Sequence, residues 1–147
     1  KGFLANLAEV RAIVEPAGAR LAAQRRNEQD LAALRTALDT MAAANESGTA
    51  DEIVRADLAF HHALLMATHN ELLQRMELVI ETGLRARDQL VHGRGSVPDS
   101  TPEHRAVYEA VAAGELDKAE AAMHQLLEQA ARDVAALGDV DGEGEAG

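Results

Sequence analysis

Asp57-Leu-Ala-Phe-His61-His62 is the stretch on which the fold and the site both turn. Asp57 and His61 stand four residues apart, so on a helix their side chains leave one face, one turn above the other. The same spacing carried in both directions gives Val54, Asp57, His61, Leu64 and Thr68. A carboxylate and an imidazole therefore fall on the apolar stripe that should meet a core, where an unpartnered polar group costs several kcal/mol. His104, in register with Val107 and Val111, falls on an inward face too. Asp57, His61 and His104 make an O,N,N donor set from two helices, a mixture suited to zinc, nickel, iron or manganese rather than calcium. Taken singly, each histidine reads as a buried residue hydrogen-bonded to a neighbour, with Asp57 as the partner. Three such groups on apolar stripes shift the balance toward a divalent metal.

The helical pattern continues through the chain. Six segments show helical apolar spacing with end signals, and none shows the sustained alternation of a strand. The first spans about Asn6 to Arg26, with Leu7, Val10, Val14, Ala17 and Leu21 as its stripe; Pro16 either bends it or divides it. The second spans about Glu28 to Asn45 behind an Asn27 cap, with Leu31, Leu34, Leu38 and Met41 in line. Ser47-Gly48-Thr49 breaks the pattern, and the third segment, about Ala50 to Thr68, carries the opening stretch. Asn70 caps a fourth, which runs to about Val91. A breaker-rich loop from His92 leads to Thr101-Pro102, an N-cap and first-turn pair for a fifth that ends at Gly114. A sixth spans about Asp117 to Leu137. The expected architecture is all-α: an antiparallel bundle of six to seven helices over residues 1–137, with 138–147 as a disordered acidic tail.

Composition limits the function. At 147 residues the chain is the size of one domain, and with 47% hydrophobic but only 2% aromatic residues its core must be built from Ala, Leu, Val and Met. A formal net charge of -11 repels a phosphate backbone, so this chain by itself is not expected to bind nucleic acid. Zero cysteines exclude disulfides and thiolate chemistry and fit a reducing compartment. With no long apolar run and no signal-peptide layout, a cytoplasmic domain without membrane contact is expected.

Arginine placement suggests how a ligand is held. The fourth stripe, Met76, Ile80 and Leu84, runs onto Arg87, and a partly buried arginine can grip a carboxylate in bidentate geometry. Gly83, one turn earlier, leaves room for such a ligand. Arg11 can pair with Glu15 one turn on, and Arg85 becomes a candidate if the helix is rotated. Arg11, Arg85 and Arg87 are thus candidates for gripping a carboxylate, while an intramolecular salt bridge, or for Arg87 a side chain reaching to the surface near the helix end, is the ordinary alternative. His62, His69, His92 and His124 lie off the stripes or at boundaries and are not expected to ligate a metal. No nucleophile-base motif, phosphate loop or dinucleotide fingerprint is present.

Arg11-Ala-Ile-Val-Glu15, then Asp57-Leu-Ala-Phe60-His61 with Leu64 and Asn70, then Glu103-His104-Arg105, then Ala113-Gly114 with Ala119 and Met123, together resemble the C-terminal effector-binding (FCD) domain of FadR-subfamily GntR transcription regulators. The resemblance covers about Asn6 to Leu137. It implies a dimeric helical bundle that binds a small organic acid, often beside a metal, and controls an N-terminal winged helix-turn-helix that contacts DNA. No segment of these residues reads as that winged helix, so the chain resembles a regulatory domain from a longer protein. Metal-binding members of the family carry a fourth ligand, a histidine three residues after the position of Met123; here Leu126 stands there. A three-ligand site open to water or effector oxygens is one expectation, and a metal-free effector or dimerisation module is the other. A non-haem metal enzyme, which the same donor set could serve, finds no additional acid or base poised for catalysis in this sequence.

Overall fold

A computed structural model describes the backbone of residues 2–93 and 98–145. Six helices follow in order: α1 (Phe3–Arg25), α2 (Glu28–Ser47), α3 (Ala50–Met66), α4 (Glu71–Gly93), α5 (Thr101–Ala113) and α6 (Leu116–Glu145). There is no strand among the described residues. The architecture is the all-α bundle expected, with α1 against α6, α2 against α3, α5 against α6 and α3 against α4 as its main pairings.

Helix ends follow local chemistry. Asn27 accepts from the Asp30 backbone N–H at 2.9 Å while the Asp30 carboxylate accepts from the Asn27 N–H at 2.8 Å, so two N–H groups with no helical partner are satisfied reciprocally. Thr49 caps α3 through the Glu52 N–H, and Asn70 accepts from the N–H groups of Leu72 and Leu73. Gly114 adopts φ 70°, the left-handed conformation that closes α5, and the Glu115 N–H returns to the Ala110 carbonyl. Thr101 differs from expectation: it is the first helical residue, and Asp99 accepts from its N–H at 2.9 Å. α6 continues in helical backbone beyond Leu137, where its apolar pattern was expected to end, while residues 146–147 lie outside the described residues.

Pro16 sits inside a continuous α1, so the undivided alternative holds. The face that α1 buries is not the expected one. Leu7, Arg11, Glu15, Gly18, Ala19, Ala22 and Ala23 are buried, whereas Val10 is 36% exposed and Ile13 is 72% exposed. Two charged residues displaced the β-branched ones because their partners lie inside the bundle, and the alanines allow close helix approach. Among the described residues, no helix is long and apolar enough to cross a membrane.

The main core joins Leu34, Leu38 and Met41 of α2, Phe60 and Leu64 of α3, Val107 and Val111 of α5, and Met123 and Leu126 of α6. A smaller cluster of Val54, Leu58 and Leu65 with Ile80 and Leu84 fastens α4 to α3. Gly83 does not leave the space anticipated for a ligand. A Cβ there would lie 2.5 Å from Leu7 Cδ1, so the glycine permits α1 to approach α4.

Candidate metal and effector site

The stripe that opened the sequence does turn inward. His61 and His104 are buried, and the Asp57 side chain is 14% exposed. Fully buried Phe60 lies between the two helices and meets both imidazoles edge-on, with centroids 5.8 Å from His61 and 4.9 Å from His104. One ligand atom from each of Asp57, His61 and His104 lies within 4.8 Å of the other two.

Hydrogen bonding fixes which nitrogen each ring presents. His104 Nδ1 donates to the Ser100 carbonyl at 2.8 Å, and its Nε2 lies 3.0 Å from Asp57 Oδ1. His61 Nδ1 donates to a carboxylate oxygen of Glu15, and its Nε2 lies 3.3 Å from the same Asp57 oxygen, with no hydrogen-bond partner among the described residues. In neutral rings both Nε2 atoms are lone pairs directed at a carboxylate oxygen. Three acceptors converging on one point require a cation, either protons on the rings or a metal. Nδ1 atoms anchored on fixed acceptors, with both Nε2 atoms turned toward one carboxylate oxygen, are also the arrangement that orients metal-bound imidazoles. The donor set therefore fits a divalent transition metal.

The surrounding charges are tightly coupled. Burial alone would raise the Glu15 pKa, but Arg11, which donates from Nε at 2.5 Å, and His61 hold it at about 2. Burial would lower the His61 pKa; Glu15 and Asp57 instead raise it to about 9. Burial pushes the Asp88 carboxyl well up and the neighbouring Asp57 adds to this, with Arg87 only partly opposing. Asp57 stays low against its own burial, through Asp88, His61 and His104.

These shifts give a pH dependence for metal-free protein. A depressed Glu15 contributes stability present above its ordinary 4.5 and lost as pH falls toward 2; a raised His61 contributes stability present below 6.5 and lost as pH rises toward 9. Urea unfolding is expected to show lower stability at about pH 3 and at about pH 9 than at about pH 5.5, with the raised Asp88 carboxyl, whose contribution also falls as pH rises, deepening the loss on the alkaline side. Equal midpoints at pH 5.5 and pH 9 would contradict the His61 network.

A cavity of about 40 Å³ adjoins the donor set, walled by Asp57 and His104, by Arg11 and Arg87, by Ser100 and Glu103, and by Leu126 and Gln129. Leu126 thus faces the site, as its alignment with the missing fourth ligand implied. Arg11 is buried; the Arg87 side chain is 13% exposed and donates to Asp88 at 2.8 Å and to the Ala130 carbonyl at 3.0 Å. Arg85 is not brought to the site. It is half-exposed and pairs with Glu81 at 3.4 Å, because position 85 is rotated about 200° from Arg87 around α4. His62 pairs with Glu77, His69 pairs with Asp30, and His124 is exposed, all away from the donor set. The side chain of His92 lies outside the described residues.

Two site carboxyls are not legible in the sequence in their full role. Spacing pairs Glu15 with Arg11 alone, yet Glu15 also anchors His61 from 46 positions away. Its position on one line with Leu7 and Arg11 is the available signal. Asp88, on the Leu84 line one turn on, carries the same signal, and among the described residues its Oδ2 has no hydrogen-bond partner.

Residues 6–129 match the family model of the FCD domain. The chain belongs to the FCD domain family. That domain is the effector-binding regulatory part of GntR-family transcription regulators. Among curated proteins, the chain is 33% identical over 132 residues to the galactonate operon transcriptional repressor of Escherichia coli K12, covering 88% of this chain and 57% of that protein. It is 41% identical over 124 residues to the HTH-type transcriptional regulator LutR of Bacillus subtilis 168, covering 80% of this chain and 56% of that protein. The chain thus spans a little over half the length of these relatives. The solved structure of E. coli McbR/YncC shares the fold, with a TM-score of 0.79 at 17% identity over 92% of this chain and 64% of that one.

Proposed function

We propose that this FCD domain senses a small organic acid at a metal held by Asp57, His61 and His104. One observation carries the proposal: both imidazoles spend their Nδ1 protons on fixed acceptors, leaving two Nε2 atoms and a carboxylate oxygen facing one another. Zinc, nickel, iron or manganese would satisfy all three and offer positive charge to an acid's oxygens. With Leu126 in place of a fourth protein ligand, the cavity side stays open to water or effector. Arg11 and Arg87 border the same space and supply the guanidinium contacts.

Regulation follows from where these groups sit. Arg11 belongs to α1, Asp57 and His61 to α3, Arg87 to α4 and His104 to α5, so an acid bridging them favours one arrangement of four helices over another. Its differential affinity for the two arrangements would shift a cytoplasmic homodimer of the FadR subfamily between DNA-binding states, through a winged helix-turn-helix preceding α1. The relatives named as transcription regulators support this reading.

A metal-free module is the second reading, favoured by the closed Glu15–His61–Asp57 network, in which a proton on His61 takes the metal's place. Elemental analysis of protein purified without chelator or metal-affinity tag, followed by calorimetric titration with zinc and then with a panel of carboxylates, separates the two. One zinc per chain, with at least one acid bound tenfold or more tightly in its presence, is expected. Absence of both metal and acid binding would overturn the sensing reading.

A further inference from the structure

Beside the inner cavity lies a second, larger pocket of about 310 Å³ between the first turns of α1 and the later turns of α6. Leu4, Leu7 and Ala8 form one wall, and Leu127, Ala131 and Val134 form the other. Among the described residues, Arg11 and Arg87 are the only charged ones that line it, and the same two arginines also line the inner cavity. The two spaces thus share a polar floor. The inner one, about 40 Å³, holds about three water-sized groups at 10–15 Å³ each, enough for a carboxylate and its α-carbon. A longer effector would extend past it, and the larger pocket, bordered by the same two arginines, offers a described lining of methyl and methylene groups with no side-chain hydrogen-bond donor other than the two guanidinium groups.

We infer that the effector of this domain is an amphipathic monocarboxylate, its carboxylate at the Arg11 and Arg87 floor and its hydrocarbon body in the α1–α6 pocket. The inference rests on the reading that the site takes an organic acid, and it specifies which kind. A polyhydroxylated acid would bury its hydroxyls against Leu4, Leu7 and Val134 without partners, at a cost that an alkyl chain avoids. A dicarboxylate would face the same wall with its second charge.

Calorimetric titration of the zinc-loaded chain with acetate, butyrate, hexanoate, octanoate, succinate and gluconate tests the inference. Affinity is expected to rise about fourfold per added CH₂ until the pocket is filled, the factor that corresponds to burying one methylene. Octanoate should exceed gluconate by at least tenfold. Ala131→Phe, at an exposed position on the pocket wall, should remove the chain-length gain and leave acetate binding unchanged. Equal affinity for acetate and octanoate, or preference for gluconate or succinate, would overturn the amphipathic ligand while leaving the acid-sensing reading intact. Failure of all six acids to bind would overturn both.

Discussion

Substituting Asp57 with Ala is expected to lower zinc affinity by at least a hundredfold while leaving the fold in place. Its carboxylate oxygen is the atom shared by the two histidines, 3.0 Å from His104 Nε2 and 3.3 Å from His61 Nε2. Without it, two nitrogens remain, and changing even a residue that only supports a ligand typically costs about 10–100-fold in metal affinity. Helicity should persist because Asp57 lies outside the apolar clusters that pack the six helices together. Zinc titration with a competing chelator, beside circular dichroism of the same samples, is the measurement. Wild-type zinc affinity in folded Asp57→Ala would remove these residues from any metal site.

Glu15→Ala should act in the opposite way, on stability first. Glu15 is 1% exposed and receives hydrogen bonds from both Arg11 and His61, so its removal strands a buried guanidinium. Breaking a buried ion pair from one side typically costs about 3–5 kcal/mol, which for a domain of this size corresponds to a fall in Tm of about 10 °C. The cost arises mainly from the charge left behind. The double substitution Arg11→Met with Glu15→Met is therefore expected to be less destabilising than Glu15→Ala alone, since both charges leave together. Thermal unfolding of chelator-treated protein checks this, and a single variant within about 1 kcal/mol of wild type would contradict it. Zinc affinity of Glu15→Ala should also fall, because His61 loses the acceptor that fixes its tautomer.

Much of the fold was legible along the chain because helix formation and helix ends are local. Asn27, Thr49, Asn70 and Gly114 act within four residues of themselves, and the inward turn of Asp57, His61 and His104 follows from their spacing with neighbouring apolar residues. α1 shows the limit of that reasoning. Its β-branched residues suggested one buried face, and Arg11 with Glu15 occupy another, since a charge pair is accepted inside only where a third partner such as His61 waits on a different helix.

What the sequence by itself determined, then, is the set of six helices, their main boundaries, and the three donors that meet inside. Tertiary structure alone decided that Glu15 anchors His61, that Leu7 fills the space opposite Gly83, that Arg87 joins Arg11 beside both cavities, and that Arg85 points away. The reason is physical. A helix's periodicity fixes which of its residues share a face, but its rotation and depth are set by packing against neighbours distant in sequence, and those contacts choose which face becomes a site.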